Sequence, residues 1–523
     1  MPWLLGNYAG YDADDYDGTK MWMDSLGVGG ILISIGSPLD VATRLNALQR
    51  RAKLPLLVGA DMEWGTAMRL MGGTAFPMAM GIAATGRDED AYELGRVTAM
   101  EARAVGIHLT FSPVLDVNNN PQNPIINTRS FGEDPRAVAR LASAYVHGAQ
   151  EHGLFATGKH FPGHGDTQTD THIDVPVIPA CWSRLDTLEL IPFRAAVSAG
   201  VTVMMTAHVA LPCLTPGDTT PATLSPFVMT GVLRDSLRFT GMVVTDALSM
   251  GAIQRKYGPG EAAVRAFLGG SDLLLDPVDV PGTSRAMVAA VESGRISRER
   301  LDAAVRRVLD LKKRAGLFEQ RTVPLDSVPV TVGKREFQGI ADNVAARSVT
   351  LVQKGAFDTF RANRSRTAVI LYAEETNLTI GNTLMREMRA GGDTVTPFRL
   401  FPASGALSYD SARAIIGRNP RTVFAISVRF IAGRGHVSMP DSLAKLVLAT
   451  EKQKPTLLAS FGSPYLLSQL PGYSSSYLLA WSDAISTEKA VGKAIAQRAA
   501  IGGKLPITLT PQYPRGWGVT VSR

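Results

Sequence analysis

The chain of 523 residues predicts an α/β fold: an N-terminal (β/α)8 barrel followed by a C-terminal layered α/β domain. Three observations lead there. The length exceeds the roughly 250 to 300 residues at which a single core stops growing, so two domains are expected. Short, near-continuous apolar runs alternate with helical patterns over residues 1–320, as parallel strands buried on both faces require. After a proline-bearing stretch, apolar runs and helices resume in a looser pattern.

In chain order, the runs read as strands are PWLLG (2–6), GGILIS (29–34), PLLVGAD (55–61), HLTFSPVLDV (108–117), FATGKHF (155–161), VTVMMTAH (201–208), GMVVTDA (241–247) and DLLLD (272–276). Between them, DPRAVARLASAYVHGAQEHG places Asp134 at a helix N-cap, Pro135 at the first helical position and Gly153 just past the end. SRLDTLELIPFRAAVSAG predicts a second such helix from Ser183 to just before Gly200. This alternation fits a closed barrel better than an open doubly wound sheet, whose first strand would be followed by a Gly-rich phosphate loop absent here. The barrel is assigned to 1–320 and a linker to 321–335, within TVPLDSVPVTVGKREF. The second domain takes 336–523, with strands at 349–353, 368–373, 422–430, 456–462 and 476–482 and helices around 409–417 and 440–451. The last ten residues read as a tail.

With 45% hydrophobic and 19% charged residues, the composition is that of a globular protein. A net charge of +7 without a basic run excludes nucleic acid as an expected partner. Cys181 and Cys213, the only cysteines, make neither a disulfide framework nor a zinc site. No apolar run approaches the roughly 20 residues of a membrane helix. The opening MPWLLGNYAG reads as a strand, not a signal peptide, and leaves the compartment open between cytoplasm and a secreted or periplasmic location. Oligomeric state is likewise undetermined.

Polar residues mark the ends of the proposed barrel strands: Asp61, Asp116, Lys159 with His160, His208, Asp246 and Asp276. Barrel active sites are built from such positions on the C-terminal rim. The loop KHFPGHGDTQTDTH (159–172) admits three readings. His160 and His164 have a metal-binding spacing on a helix, but Pro162, Gly163 and Gly165 argue against a helix there. A polar loop satisfying its own backbone is the bland reading. In the third, Asp170 orients His172 through one ring nitrogen and leaves the other to move a proton. A proton donor on a loop and a lone carboxylate at a strand end, Asp246, suit retaining glycoside cleavage. The bland alternative for Asp246 is a cap on the following helix.

KHFPGHGDTQTDTH, NTRSFGEDP (127–135), DMEWGTAMRL (61–70), GGTAFPMAMGIAATG (72–86) and VVTDALSM (243–250) together resemble glycoside hydrolase family 3, in its β-N-acetylglucosaminidase branch. AARSVTLVQK (345–354) and GKLPITL (503–509) extend the resemblance into the second domain. It implies Asp246 as nucleophile, His172 as general acid/base and Asp170 as its orienting partner. Asp61, Arg129, Lys159 and His160 would hold sugar hydroxyls, with Arg69 shaping the pocket; His160 has a core-histidine alternative. No metal or cofactor is implied, and the partner is a GlcNAc-containing oligosaccharide or muropeptide. Trp64 stands where the family has glycine, which bears on fine specificity. Phosphorolysis, β-glucosidase or broad β-hexosaminidase activity, and a catalytically silent sugar-binding barrel are the alternatives.

Overall fold

The computed structural model describes residues 1–4, 13–171, 173–215, 219–362, 364–374, 378–431 and 433–523. Strands β1 (Trp3–Leu4), β2 (Gly30–Ile33), β3 (Leu57–Ala60) and β4 (Leu109–Thr110) form a parallel arc in chain order. A second parallel arc holds β5 (Thr157–Phe161), β6 (Val203–Thr206) and β7 (Met242–Val244). Parallel bridges at Leu109–Phe155 and Val114–Lys159 join the arcs, and Val244–Leu273 adds the eighth segment. The ring closes where Asp276 N–H donates to the Met1 carbonyl at 2.9 Å. β2, β3 and β5–β7 are buried along their whole length, which explains their continuous apolar sequences.

Helix Pro135–Gln150 starts as its sequence dictates: the Asp134 carboxylate accepts from Arg136 N–H at 2.8 Å and Ala137 N–H at 3.1 Å. Elsewhere the predicted elements are trimmed. The run 108–117 yields the two strand residues Leu109–Thr110 and a separate bridge at Val114, interrupted at Pro113, which has no N–H to donate. The run 272–276 contributes a single bridge. The helix expected from Ser183 is two pieces, Trp182–Thr187 and Leu190–Ser198. Pro192 cannot donate to the Leu188 carbonyl, so the break falls there, and it lets Glu189 turn inward onto Arg184 at 2.8 Å. The two cysteines, too few for a disulfide framework, are bonded to each other: Cys181–Cys213 joins the loop after β5 to the loop after β6 across 32 residues, with Cα atoms 5.0 Å apart.

The second domain is a six-stranded sheet of order β10-β9-β11-β12-β13-β8. Its strands are β8 (Thr350–Gln353), β9 (Arg366–Ala373), β10 (Thr394–Leu400), β11 (Arg421–Ser427), β12 (Thr456–Ser460) and β13 (Ser476–Leu479). Only β8 runs antiparallel to its neighbour. Strand alternation sorts side chains onto two faces. Ile370, Tyr372, Phe424 and Ile426 meet helices Ala406–Gly417 and Asp441–Glu451, while Val369, Leu371, Val423 and Ala425 meet Asn382–Ala390 and Ile485–Ile495. The expected tail is ordered chain: Val519 N–H donates to Leu351 O and Trp517 Nε1–H to Val352 O, both at 2.8 Å, covering the β8 edge.

Residues 321–335 form a 3-10 turn, Leu325–Ser327, and a short helix, Val328–Thr331, pinned by a two-way amide exchange between Asn46 and Val323 at 2.8 Å. Helix Arg335–Ser348 then inserts Phe337, Ala341 and Val344 into the barrel-side core and Ala345 into the core of the sheet. Gly81 permits the domains to touch closely, since a Cβ there would lie 2.8 Å from the Trp481 Cβ.

Candidate active site

The C-terminal ends of the barrel strands surround a cavity of about 470 Å³. Its wall holds Asp61 from the end of β3, Arg129 from the loop after β4, Lys159 and His160 from β5, and Asp246 from the end of β7. Parallel strands point their C-terminal ends at one rim, which brings together residues up to 185 positions apart in the chain (Asp61 to Asp246).

At the centre is a chain of buried charges. Lys159 Nζ lies 3.0 Å from Asp61 Oδ1 and 2.8 Å from Glu63 Oε1. Arg69 reaches Asp61 at 2.9 Å, and Arg129 reaches Glu63 at 2.7 Å. Burial alone would push both carboxyls up. For Asp61, Lys159 and Arg69 outweigh it; for Glu63, Arg129 and Lys159 do, and both carboxyls stay below the usual carboxylate range. Burial would likewise lower Lys159, but Glu63 and Asp61 raise it above the ordinary lysine value. The carboxylates of Asp61 and Glu63 therefore stand ionised against Lys159, Arg69 and Arg129, and the wall offers both N–H donors and carboxylate acceptors.

His160 turns Nδ1 onto the buried carboxylate of Asp116 at 2.7 Å, and the same carboxylate accepts from the backbone N–H of His160 (3.2 Å) and of His164 (2.7 Å). Asp116 thereby fixes the β5 loop and sets the tautomer of His160, leaving Nε2 as its second polar atom. His164 bonds Thr167 Oγ1 through Nδ1 at 3.0 Å, and burial lowers its pKa to about 4. The two imidazoles meet edge on, centroids 5.9 Å apart.

Asp246 does not cap the next helix, Gly251–Tyr257, whose N-cap is Met250. Its Oδ1 accepts from Ala247 N–H at 2.8 Å, and its own N–H donates to Thr206 Oγ1 at 3.3 Å. Burial acts to raise its pKa, but His160 and His208 hold it below the usual range, so the carboxylate is charged at neutral pH. His208 stays beneath it, bonded to Thr223 Oγ1 at 2.8 Å and to Ala247 O at 3.0 Å.

Asp170 is buried beside the cavity, and its neighbour Thr171 lines it. His172 lies outside the described residues. Of the residues expected from sequence, Asp61, Arg69, Arg129, Lys159, His160 and Asp246 thus share one cavity. Sequence reasoning missed Glu63, visible only as part of DMEWG, placed Asp116 on the rim without a specific role, and missed Arg429, Phe430 and Ile431, which reach the cavity from the second domain. Phe430 lies over the Arg129 guanidinium, 5.4 Å from ring centroid to Cζ. Trp64 also lines the cavity.

The profile of the "Glycosyl hydrolase family 3 N terminal domain" matches residues 12–311. A "Beta-N-acetylglucosaminidase/beta-glucosidase" of Cellulomonas fimi is 34% identical over 337 residues, 63% of this chain and 60% of that protein. "Beta-hexosaminidase A" of Pseudoalteromonas piscicida is 30% identical over 373 residues, 67% of this chain and 61% of that protein. The match thus spans about three fifths of the length of these relatives. The solved structure of a glycoside hydrolase family 3 beta-N-acetylglucosaminidase from Paenibacillus sp. str. FPU-7 superposes with a TM-score of 0.88 at 33% identity, covering 97% of each chain. A beta-glucoside phosphorylase superposes with a TM-score of 0.84 at 25% identity, over 92% of this chain and 89% of that one.

Proposed function

Because the chain belongs to glycosyl hydrolase family 3, we propose that it is a retaining exo-glycosidase removing terminal β-linked N-acetylglucosamine from peptidoglycan fragments or related oligosaccharides. The observation that carries the reading is Asp246, a carboxylate held ionised at the end of β7 on the wall of the cavity that Asp61, Lys159, Arg129 and His160 also line. Such a pocket suits a single terminal sugar, and the similar proteins named for N-acetylglucosamine or hexosamine support that sugar.

In this reading Asp246 attacks the anomeric carbon and the bond to the aglycone oxygen breaks. His172 gives its proton to that oxygen, and a glycosyl ester of Asp246 forms. Water then attacks the same carbon, His172 takes its proton, and the ester bond breaks to return Asp246. Asp170 orients His172. Asp61, Lys159, Arg129 and His160 bind sugar hydroxyls, and Arg69 holds Asp61 in place.

The test is release of 4-nitrophenol from the β-GlcNAc and β-glucose glycosides in phosphate-free buffer. Strong preference for the GlcNAc compound is expected, and preference for glucose overturns the substrate assignment, with Trp64 the first residue to exchange. A second reading, phosphorolysis, is favoured by the likeness to the beta-glucoside phosphorylase. Formation of a sugar 1-phosphate when phosphate is added would establish it.

A further inference from the structure

The chain that leaves β11 crosses from the second domain to the barrel rim. One buried side chain, Glu374, which follows β9, holds it at two points, one through backbone and one through a side chain. Arg429 N–H donates to Glu374 Oε2 at 3.3 Å, and the Arg434 guanidinium pairs with Oε1 at 2.7 Å. Between these anchors Gly433 N–H donates to Asp170 Oδ2 at 2.9 Å. Gly435 packs next to the same barrel loop, its Cβ position 3.2 Å from Ile173 Cδ1. Gly433 takes φ +78°, a conformation that glycine adopts without strain and that aims its N–H at the carboxylate.

We propose that this crossing segment is a positioning element for proton transfer, in which Glu374 and Arg434 fix Gly433 and Gly433 fixes Asp170. The inference rests on the reading of Asp170 as the orienting partner of the acid/base. Each donor that meets a carboxylate on a barrel loop narrows its orientation, Gly433 N–H is such a donor from the anchored chain beyond β11, and catalytic geometry tolerates only about 0.5 Å of error. Glu374 does not line the cavity, so its effect on catalysis passes through the segment it holds.

The experiment compares the full-length wild type with Glu374→Gln, Arg434→Met, Asp170→Asn and the double variant Asp170→Asn/Glu374→Gln. Substrates are the phenyl and 2,4-dinitrophenyl β-GlcNAc glycosides. Departure of phenol needs protonation and that of dinitrophenol does not. Glu374→Gln should therefore lower kcat/KM, which reports formation of the glycosyl ester, about tenfold on the phenyl glycoside and less than about twofold on the dinitrophenyl glycoside. In the Asp170→Asn background the same substitution should add nothing. Arg434 is the more exposed partner, and Arg434→Met tests the same contact if Glu374→Gln fails to fold. Equal losses on both substrates, or full additivity with Asp170→Asn, would overturn the inference. If Asp170→Asn itself shows no leaving-group dependence, it is the acid/base reading that falls, and the positioning role with it.

Discussion

Glu63 is the most informative residue to neutralise. Glu63→Gln preserves shape and one acceptor oxygen but deletes a charge lying 2.7 Å from Arg129 and 2.8 Å from Lys159. At charge separations near 4 Å and an effective dielectric of about 20, each attraction is worth about 4 kcal/mol. Desolvating the carboxylate offsets several kcal/mol of that sum. Breaking a buried pair typically costs about 3 to 5 kcal/mol, and the lower figure applies here because Lys159 keeps Asp61 and glutamine keeps an acceptor. A loss of about 3 kcal/mol lowers Tm by roughly 3 °C, since an unfolding entropy of about 2.1 cal/mol/K per residue applies to a cooperative unit of 523 residues. The sign with pH is fixed too. The folded-state pKa of Glu63 is depressed, so its contribution is full above the unfolded value near 4.3 and disappears as pH falls through the folded one. Chemical and thermal unfolding of both proteins between pH 2 and 8 gives the comparison. A gap under about 1 kcal/mol at pH 7, or one that stays constant down to pH 2, would refute the charge network.

Three further outcomes are expected. Asp246→Asn should remove turnover by at least about 10³-fold, roughly 4 kcal/mol of transition-state stabilisation, in a protein whose melting is unchanged; wild-type-like rates would exclude it as nucleophile. His164, buried with a pKa of about 4, takes up its proton only on unfolding at mildly acidic pH. Stability should decline by about 3 kcal/mol as pH falls from 6.5 to 4, and His164→Gln should flatten that slope. The Cys181–Cys213 bond closes a loop of 32 residues, so Cys181→Ala/Cys213→Ala should lose about 3 to 4 kcal/mol, and reductant should shift the wild type alone.

The barrel was legible because its strands are buried on both faces and so write continuous apolar runs, and because Asp134-Pro135 spells a helix start. Its rim was legible for the same reason: an apolar run that ends in Asp61, Lys159 or Asp246 locates the polar end of a strand. What escaped lacked such a local signature. β10 is a half-exposed edge strand carrying Pro397, which weakens both the apolar run and the ladder pattern. Glu63 counts only through partners 66 and 96 positions away, Arg129 and Lys159. Arg429 and Phe430 enter the cavity through domain packing, and no periodicity encodes that. The disulfide was missed because two cysteines in a long chain form no spacing pattern.

Helix Arg335–Ser348 has no independent home. Its apolar side chains are shared between the barrel-side core and the sheet core, and its charged ones form Lys489–Asp342 and Arg347–Asp90 pairs in opposite directions. Met80 and Ala84 of the barrel in turn lie in the core of the second domain. Melting either unit would strip the other of a packed surface, so the two should lose structure in a single calorimetric transition rather than in sequence. The same sharing makes the chain a poor subject for dissection: a barrel cut free on either side of this helix would carry an uncovered apolar stripe or lack the piece that seals it, and solubility would suffer before catalysis could be measured.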